Sequence, residues 1–128
     1  MIKKLLLPAI LGIFLIASFS LNAENNDVKS KANETPEEIN TIIKKSCFGC
    51  HNADSQNDKA KDKLDFKKFE SLSNPDKIHA LREIGEVVEE GDMPPKKFLE
   101  RYPDKALTAD EKKELMDWAK KEAINLMK

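Results

Sequence analysis

The sequence predicts an all-α domain with long loops, and three observations carry that expectation. Apolar residues recur at helical spacing in three separate stretches: Ile39, Ile42 and Ile43; Ile78, Leu81, Ile84 and Val88; and Leu115, Trp118, Ala119 and Leu126. Each stretch follows a residue pattern that starts helices, a capping side chain with a proline or a glutamate close behind it. No segment alternates with the period of two that a half-buried strand needs, and no internal repeat or low-complexity tract appears. At 128 residues the chain has room for one domain.

Residues 1–23 read as an export signal outside the fold. Lys3 and Lys4 form a short positive start, Leu5 to Phe19 is an apolar run, and Ser20-Leu21-Asn22-Ala23 offers a small-residue cleavage site after Ala23. The alternative is an uncleaved membrane anchor, for which the apolar run is shorter than the roughly 20 residues of a comfortable span. No cysteine stands at the end of the run to suggest a lipid anchor. The chain has 22 basic and 23 acidic side chains; cleavage removes Lys3 and Lys4 and leaves 20 against 23, a formal charge of −3. Both signs are interspersed, and nothing resembles the basic stripe of a nucleic-acid binder. Partners recognised by charge would carry positive patches.

Residues 24–34 are polar and read as a flexible tether, which leaves 35–128 as the folded domain. There, Thr35 is expected to cap the first helix with Pro36 at its first position and Glu38 completing a capping box. Residues 52–63 contain no large apolar side chain and read as an exposed loop, with a short helical turn around Leu64, Phe66, Phe69 and Leu72. Asn74, followed by Pro75, is the expected cap of the second clear helix, and Gly91 its left-handed end. Asp92-Met93-Pro94-Pro95 is stiff and non-helical. Thr108 and Glu111 form a capping box that opens a terminal helix reaching about Met127, with Met116 and Met127 expected in the core.

One stretch names a chemistry. Cys47-Phe48-Gly49-Cys50-His51 is Cys-x-x-Cys-His, the attachment signature of c-type haem. Two thiols at this spacing can add to the two vinyl groups of one haem, and the adjacent imidazole then falls under the iron. Three other readings compete. A thioredoxin-like dithiol needs a βαβ context, which is missing. A zinc site from Cys47, Cys50, His51 and His79 would ask adjacent Cys50 and His51 to ligate one tetrahedral ion. A Cys47–Cys50 disulfide would leave His51 idle. Both cysteines of the chain lie in the motif, and export agrees with haem attachment after translocation.

Met93 is the candidate for the sixth iron position. A thioether is soft and neutral, favours ferrous iron and raises the potential, and the two following prolines hold the loop stiff. The plainer reading is a gap-filling core methionine. His79 is the rival ligand, but helical spacing puts it near Arg82, Glu83 and Glu86, away from Leu81, Ile84 and Val88. Trp118, Tyr102, Arg82, Arg101, Lys96 and Lys97 are the residues that could meet a haem propionate. Lys44-Lys45 and Lys112-Lys113 read as solvated faces. The modest count of large apolar side chains leaves a modest core, so haem is expected to supply hydrophobic mass and the apo form to be poorly ordered.

From about Glu37 to Lys120 the chain resembles the small bacterial haem-binding domains of the cytochrome c type. The resemblance rests on residues 47–51, on Val87-Val88-Glu89-Glu90-Gly91-Asp92-Met93-Pro94-Pro95, and on Leu107-Thr108-Ala109-Asp110-Glu111 followed by Trp118. It implies a cytochrome c-like helical fold around one covalently attached haem c, with His51 proximal and Met93 distal. Two departures are visible: Tyr102-Pro103 stands where members often carry His-Pro, and the segment between Asn52 and Phe66 is short and polar. The expected function is that of a periplasmic monohaem cytochrome, an electron carrier and not an enzyme, working with periplasmic redox proteins or a membrane respiratory complex. A gas or peroxide sensor, or a small peroxidase-like enzyme with a displaceable sixth ligand, is the alternative.

Overall fold

A computed structural model describes residues 34–128; the expected export signal and all but the last residue of the expected tether lie outside the described residues. Five α-helices and two short 3₁₀ turns make up the described chain, with no strand among the described residues. The domain is all-α, as the periodicity predicts.

Helix α1 spans Glu37–Ser46, and its Ile39, Ile42 and Ile43 are buried. Glu37 and Glu38 lie in its first turn and Lys44 and Lys45 in its last, each sign favourable to the helix dipole. The expected Thr35–Glu38 capping box does not form; Pro36 occupies the cap position without a side-chain cap bond. A distant carboxylate has taken Thr35 instead. Glu70 Oε1 accepts from the Thr35 backbone N–H at 3.0 Å and from its hydroxyl at 2.5 Å, while Asn40 Nδ2 donates to the Thr35 carbonyl at 2.9 Å. A charged acceptor is the stronger partner, so tertiary structure overrides the local motif.

Residues 52–63 are not one exposed loop. Asn52 is buried, and helix α2 spans Asp58–Lys63, capped by Asn57 Oδ1 accepting from the Ala60 N–H at 3.1 Å. Helix α2 buries no residue, which is why periodicity could not reveal it. A 3₁₀ turn at Phe69–Ser71 follows.

Helix α3 spans Asn74–Glu89. Its cap is Ser73, one residue before the expected Asn74: Ser73 Oγ accepts from the Asp76 N–H at 3.3 Å and donates to Asp76 Oδ2 at 2.6 Å. Gly91 ends the helix at φ +74°, as expected. Asp92 N–H donates to the Val87 carbonyl at 2.9 Å and Gly91 N–H to that of Val88 at 3.3 Å, the paired bonds of a Schellman end.

Helix α4, Lys96–Arg101, and a 3₁₀ turn at Pro103–Lys105 fill a stretch whose helical content the sequence did not signal. Helix α5 spans Ala109–Leu126 and opens on the expected capping box: Thr108 Oγ1 accepts from the Glu111 N–H at 3.2 Å, and Glu111 Oε2 from the Thr108 N–H at 2.8 Å.

The core lies where α3 and α1 pack on α5. Leu81 and Leu115 are its most completely buried side chains. The Trp118 ring packs on Phe69 at 5.9 Å, which continues to Phe66 at 6.0 Å and on to His51 at 6.3 Å. Lys45 is not a solvated charge. Its ammonium donates to Glu111 at 2.5 Å and to the Ala106 carbonyl at 3.0 Å, tying α1 to the start of α5. Met116 packs against the core, but Met127, expected there, is 54% exposed beyond the last turn of α5.

Candidate haem site

The Cys-x-x-Cys-His motif continues the helical path of α1. Cys47 is the C-cap of that helix, its N–H bonded to the Ile43 carbonyl at 2.9 Å. Cys50 and His51 then fold back, their N–H groups donating to the Cys47 carbonyl at 3.2 Å and 3.1 Å. Both cysteines are free thiols. Buried Asn52 closes the turn: its Nδ2 donates to the Phe48 carbonyl and its Oδ1 accepts from the Asp54 N–H.

The segment between α2 and the 3₁₀ turn clamps His51. The His51 carbonyl accepts from the Phe66 N–H at 3.1 Å, and His51 Nδ1 lies 3.3 Å from the Leu64 carbonyl. A carbonyl only accepts, so this contact assigns the proton to Nδ1 and leaves the Nε2 lone pair for a metal. A carbonyl in that position also orients the ring. The Phe66 ring meets the imidazole edge-on, at 81°.

Met93 arrives through the end of α3. After Gly91 turns the chain, the Met93 N–H donates to the Val87 carbonyl at 3.2 Å. The Schellman end thus sets where the methionine side chain starts.

These residues share one cavity of about 790 Å³, whose wall includes Cys47, Cys50, His51 and Met93. Residues 42 to 46 positions apart in sequence are thereby brought to one space. The volume falls within the roughly 300–1,000 Å³ of small-molecule and cofactor pockets. Ile43, Leu64, Ile84, Val88 and Leu115 supply apolar wall, the surroundings that a largely hydrophobic macrocycle requires. Ser46 Oγ, buried in the same wall, has no hydrogen-bond partner among the described residues.

Burial pushes the Cys47 thiol up to about 11, with the neighbouring Cys50 adding to the rise. A thiol held neutral at ordinary pH is a poor starting thiolate for disulfide exchange, which weighs against the dithiol reading. The zinc reading fares no better. Among the described residues no group of three His, Cys, Asp or Glu could hold a metal ion.

His79 reaches the cavity rim, but its side chain is 75% exposed and sits 3.6 Å from Glu83. The residues proposed from sequence to meet a propionate, Trp118, Tyr102, Arg82, Arg101, Lys96 and Lys97, are absent from the cavity wall. Trp118 is committed to Phe69, and Tyr102 packs on Phe98 at 5.0 Å. Asn52, Ser46 and the Leu64 carbonyl were not singled out by the sequence. A polar residue directly after the motif was the only available hint of Asn52, and a backbone carbonyl leaves no side-chain signal.

A protein-family model described as a haem-binding domain matches residues 54–121. The chain belongs to this haem-binding domain family. The matched stretch holds Met93 and Trp118 and ends one residue past the Lys120 limit of the resemblance seen in sequence. It starts three residues after His51, so the Cys-x-x-Cys-His motif stands just outside it. Neither the curated proteins nor the solved structures give a match. Haem binding by this haem-binding domain fits the residues present: a cavity of the right order lined by an imidazole with its Nε2 lone pair free, a thioether and two thiols.

Proposed function

We propose that this haem-binding domain is an exported monohaem c-type cytochrome that carries single electrons between redox partners. The observation that carries the reading is the convergence of Cys47, Cys50, His51 and Met93 on one apolar-walled cavity. Cys47 and Cys50 would hold the haem as thioethers, the S–H of each adding across a vinyl double bond, an addition that oxidises nothing. His51, through Nε2, and Met93, through Sδ, would ligate the iron. When bound, the haem supplies a one-electron Fe(III)/Fe(II) couple. The Leu64 carbonyl keeps His51 in one orientation, and the Met93 thioether biases the site toward the reduced state. Ligation of the iron by both side chains would favour electron transfer over substrate chemistry at the metal.

The export pattern of residues 1–23 supports a periplasmic location, where haem attachment and exchange with soluble or membrane-bound redox partners occur. No described helix is long and apolar enough to cross a membrane.

Optical spectra of the purified holoprotein, oxidised and reduced, with and without carbon monoxide, test this reading. An electron carrier gives low-spin spectra, a sulfur-to-iron charge-transfer band that Met93→Ala abolishes, and no carbon monoxide complex. Ready binding of carbon monoxide by the reduced wild type overturns it in favour of a sensor or a peroxidase-like enzyme.

A further inference from the structure

Haem carries two propionates, so one edge of any haem in the cavity is a dianion that needs cations or water. The rim offers lysines on one side alone. Lys61, Lys63 and Lys68 line it from α2 and the segment that follows, where Asp62 and Asp65 are the only acids. The α3 side presents Asp76 and Glu83 with His79 between them and would repel the same edge.

Of the three lysines, Lys61 is already engaged, at 2.7 Å from Asp58 Oδ1 and 3.3 Å from the Ser55 carbonyl. Lys68 makes one long contact, 3.7 Å from Asp65, and its side chain is 72% exposed. Lys63 has no ion pair or side-chain hydrogen bond among the described residues, although it ends α2 at the cavity mouth. Two available ammonium groups therefore match two carboxylates.

We infer that Lys63 and Lys68 are the propionate-anchoring residues of the haem site, and that they set the propionate edge toward the α2 side of the cavity. The inference rests on the haem c reading above. It replaces the candidates suggested by sequence alone, and it gives the lysine-rich stretch from α2 onward a task.

The test uses the holoprotein, with covalent haem first established for every variant by the mass of the denatured chain. Midpoint potentials are then measured across pH 5 to 9 for wild type, Lys63→Gln/Lys68→Gln, Lys63→Arg/Lys68→Arg, and the control Arg82→Gln/Lys96→Gln. Removing cations from beside a propionate raises its pKa, so the double glutamine variant should move the bend in the potential–pH curve upward. Roughly one pH unit is the low end of what a neighbouring opposite charge does. The arginine variant should restore the wild-type curve, and the control should leave it unchanged. A glutamine variant whose curve superimposes on wild type, or a control that shifts instead, overturns the assignment. Wild-type protein without covalent haem overturns the underlying haem c reading itself, a separate and recognisable failure.

Discussion

At the scale of single residues, Asn52 and the Leu64 carbonyl hold the turn that carries His51. Cys47, Cys50, His51 and Met93 could be chosen by residue type and spacing, and all four line the same cavity. What holds them was hidden, because Asn52 and the Leu64 carbonyl act through contacts that depend on how the loop folds back. Asn52 is 7% exposed and satisfied on both ends of its amide. Asn52→Ala removes both bonds and leaves the Phe48 carbonyl without this partner. The expected cost is about 1–3 kcal/mol, measured by denaturant unfolding of the holoprotein; an unchanged midpoint with unchanged slope contradicts a closing role for Asn52. Gly91, at φ +74°, is the second residue whose identity the fold dictates. Open space surrounds it, so Gly91→Ala costs backbone strain alone, about 1–2 kcal/mol. A lower denaturant midpoint of the holoprotein checks it.

At the scale of elements, the long helices with one apolar face could be read and the short polar ones could not. Helix α5 came with its Thr108–Glu111 box intact, and Thr108→Ala is expected to lower stability by about 0.5–2 kcal/mol in the same unfolding assay. Helix α2 has no apolar face, so hydrophobic periodicity carried no trace of it. At the start of α1 the local capping pattern yields to a distant partner, because Thr35 bonds to Glu70, 35 residues away. Glu70 also binds Lys77 at 2.9 Å, joining α1, the 3₁₀ turn and α3. Burial works to raise the Glu70 carboxyl, but the bonds from Thr35 and Lys77 outweigh it and hold it below its ordinary 4.5. Glu111 is lowered as well, first by the hydrogen bond from Lys45. A depressed carboxyl stabilises the fold fully above its unfolded value and ceases to do so as pH falls through its folded one. The thermal midpoint of the holoprotein should therefore decline as pH drops below about 4.5, the ordinary glutamate value. Glu70→Gln should lower stability at neutral pH and flatten that decline; a slope identical to wild type would contradict the role given to this carboxylate.

At the scale of the whole molecule, the all-α class followed from three apolar stripes, and the packing of α3 on α5 is what the structure adds. The size of the cavity they leave did not, since volume emerges only when α1, α3 and the residues after His51 enclose one space. The fold is built around that space and not through it. A group that fills the cavity of about 790 Å³ in the folded chain alone would add to its stability by linkage. Protein lacking Cys47 and Cys50, and so unable to keep its haem, is expected to show a broad, weakly cooperative thermal transition and rapid amide exchange in α1 and α3. A sharp, high-temperature transition in that form would contradict the dependence. The family match to residues 54–121 and the motif just before them give the molecule its reading as a haem protein; covalent attachment is the claim on which the remainder depends. Its most direct measurement is the mass of the purified, acid-denatured chain made in a host competent for c-type haem attachment. The account predicts that the chain retains the mass of one haem, and that Cys47→Ala/Cys50→Ala loses it. A wild-type chain without the added mass, or a double variant that keeps it, would contradict the account.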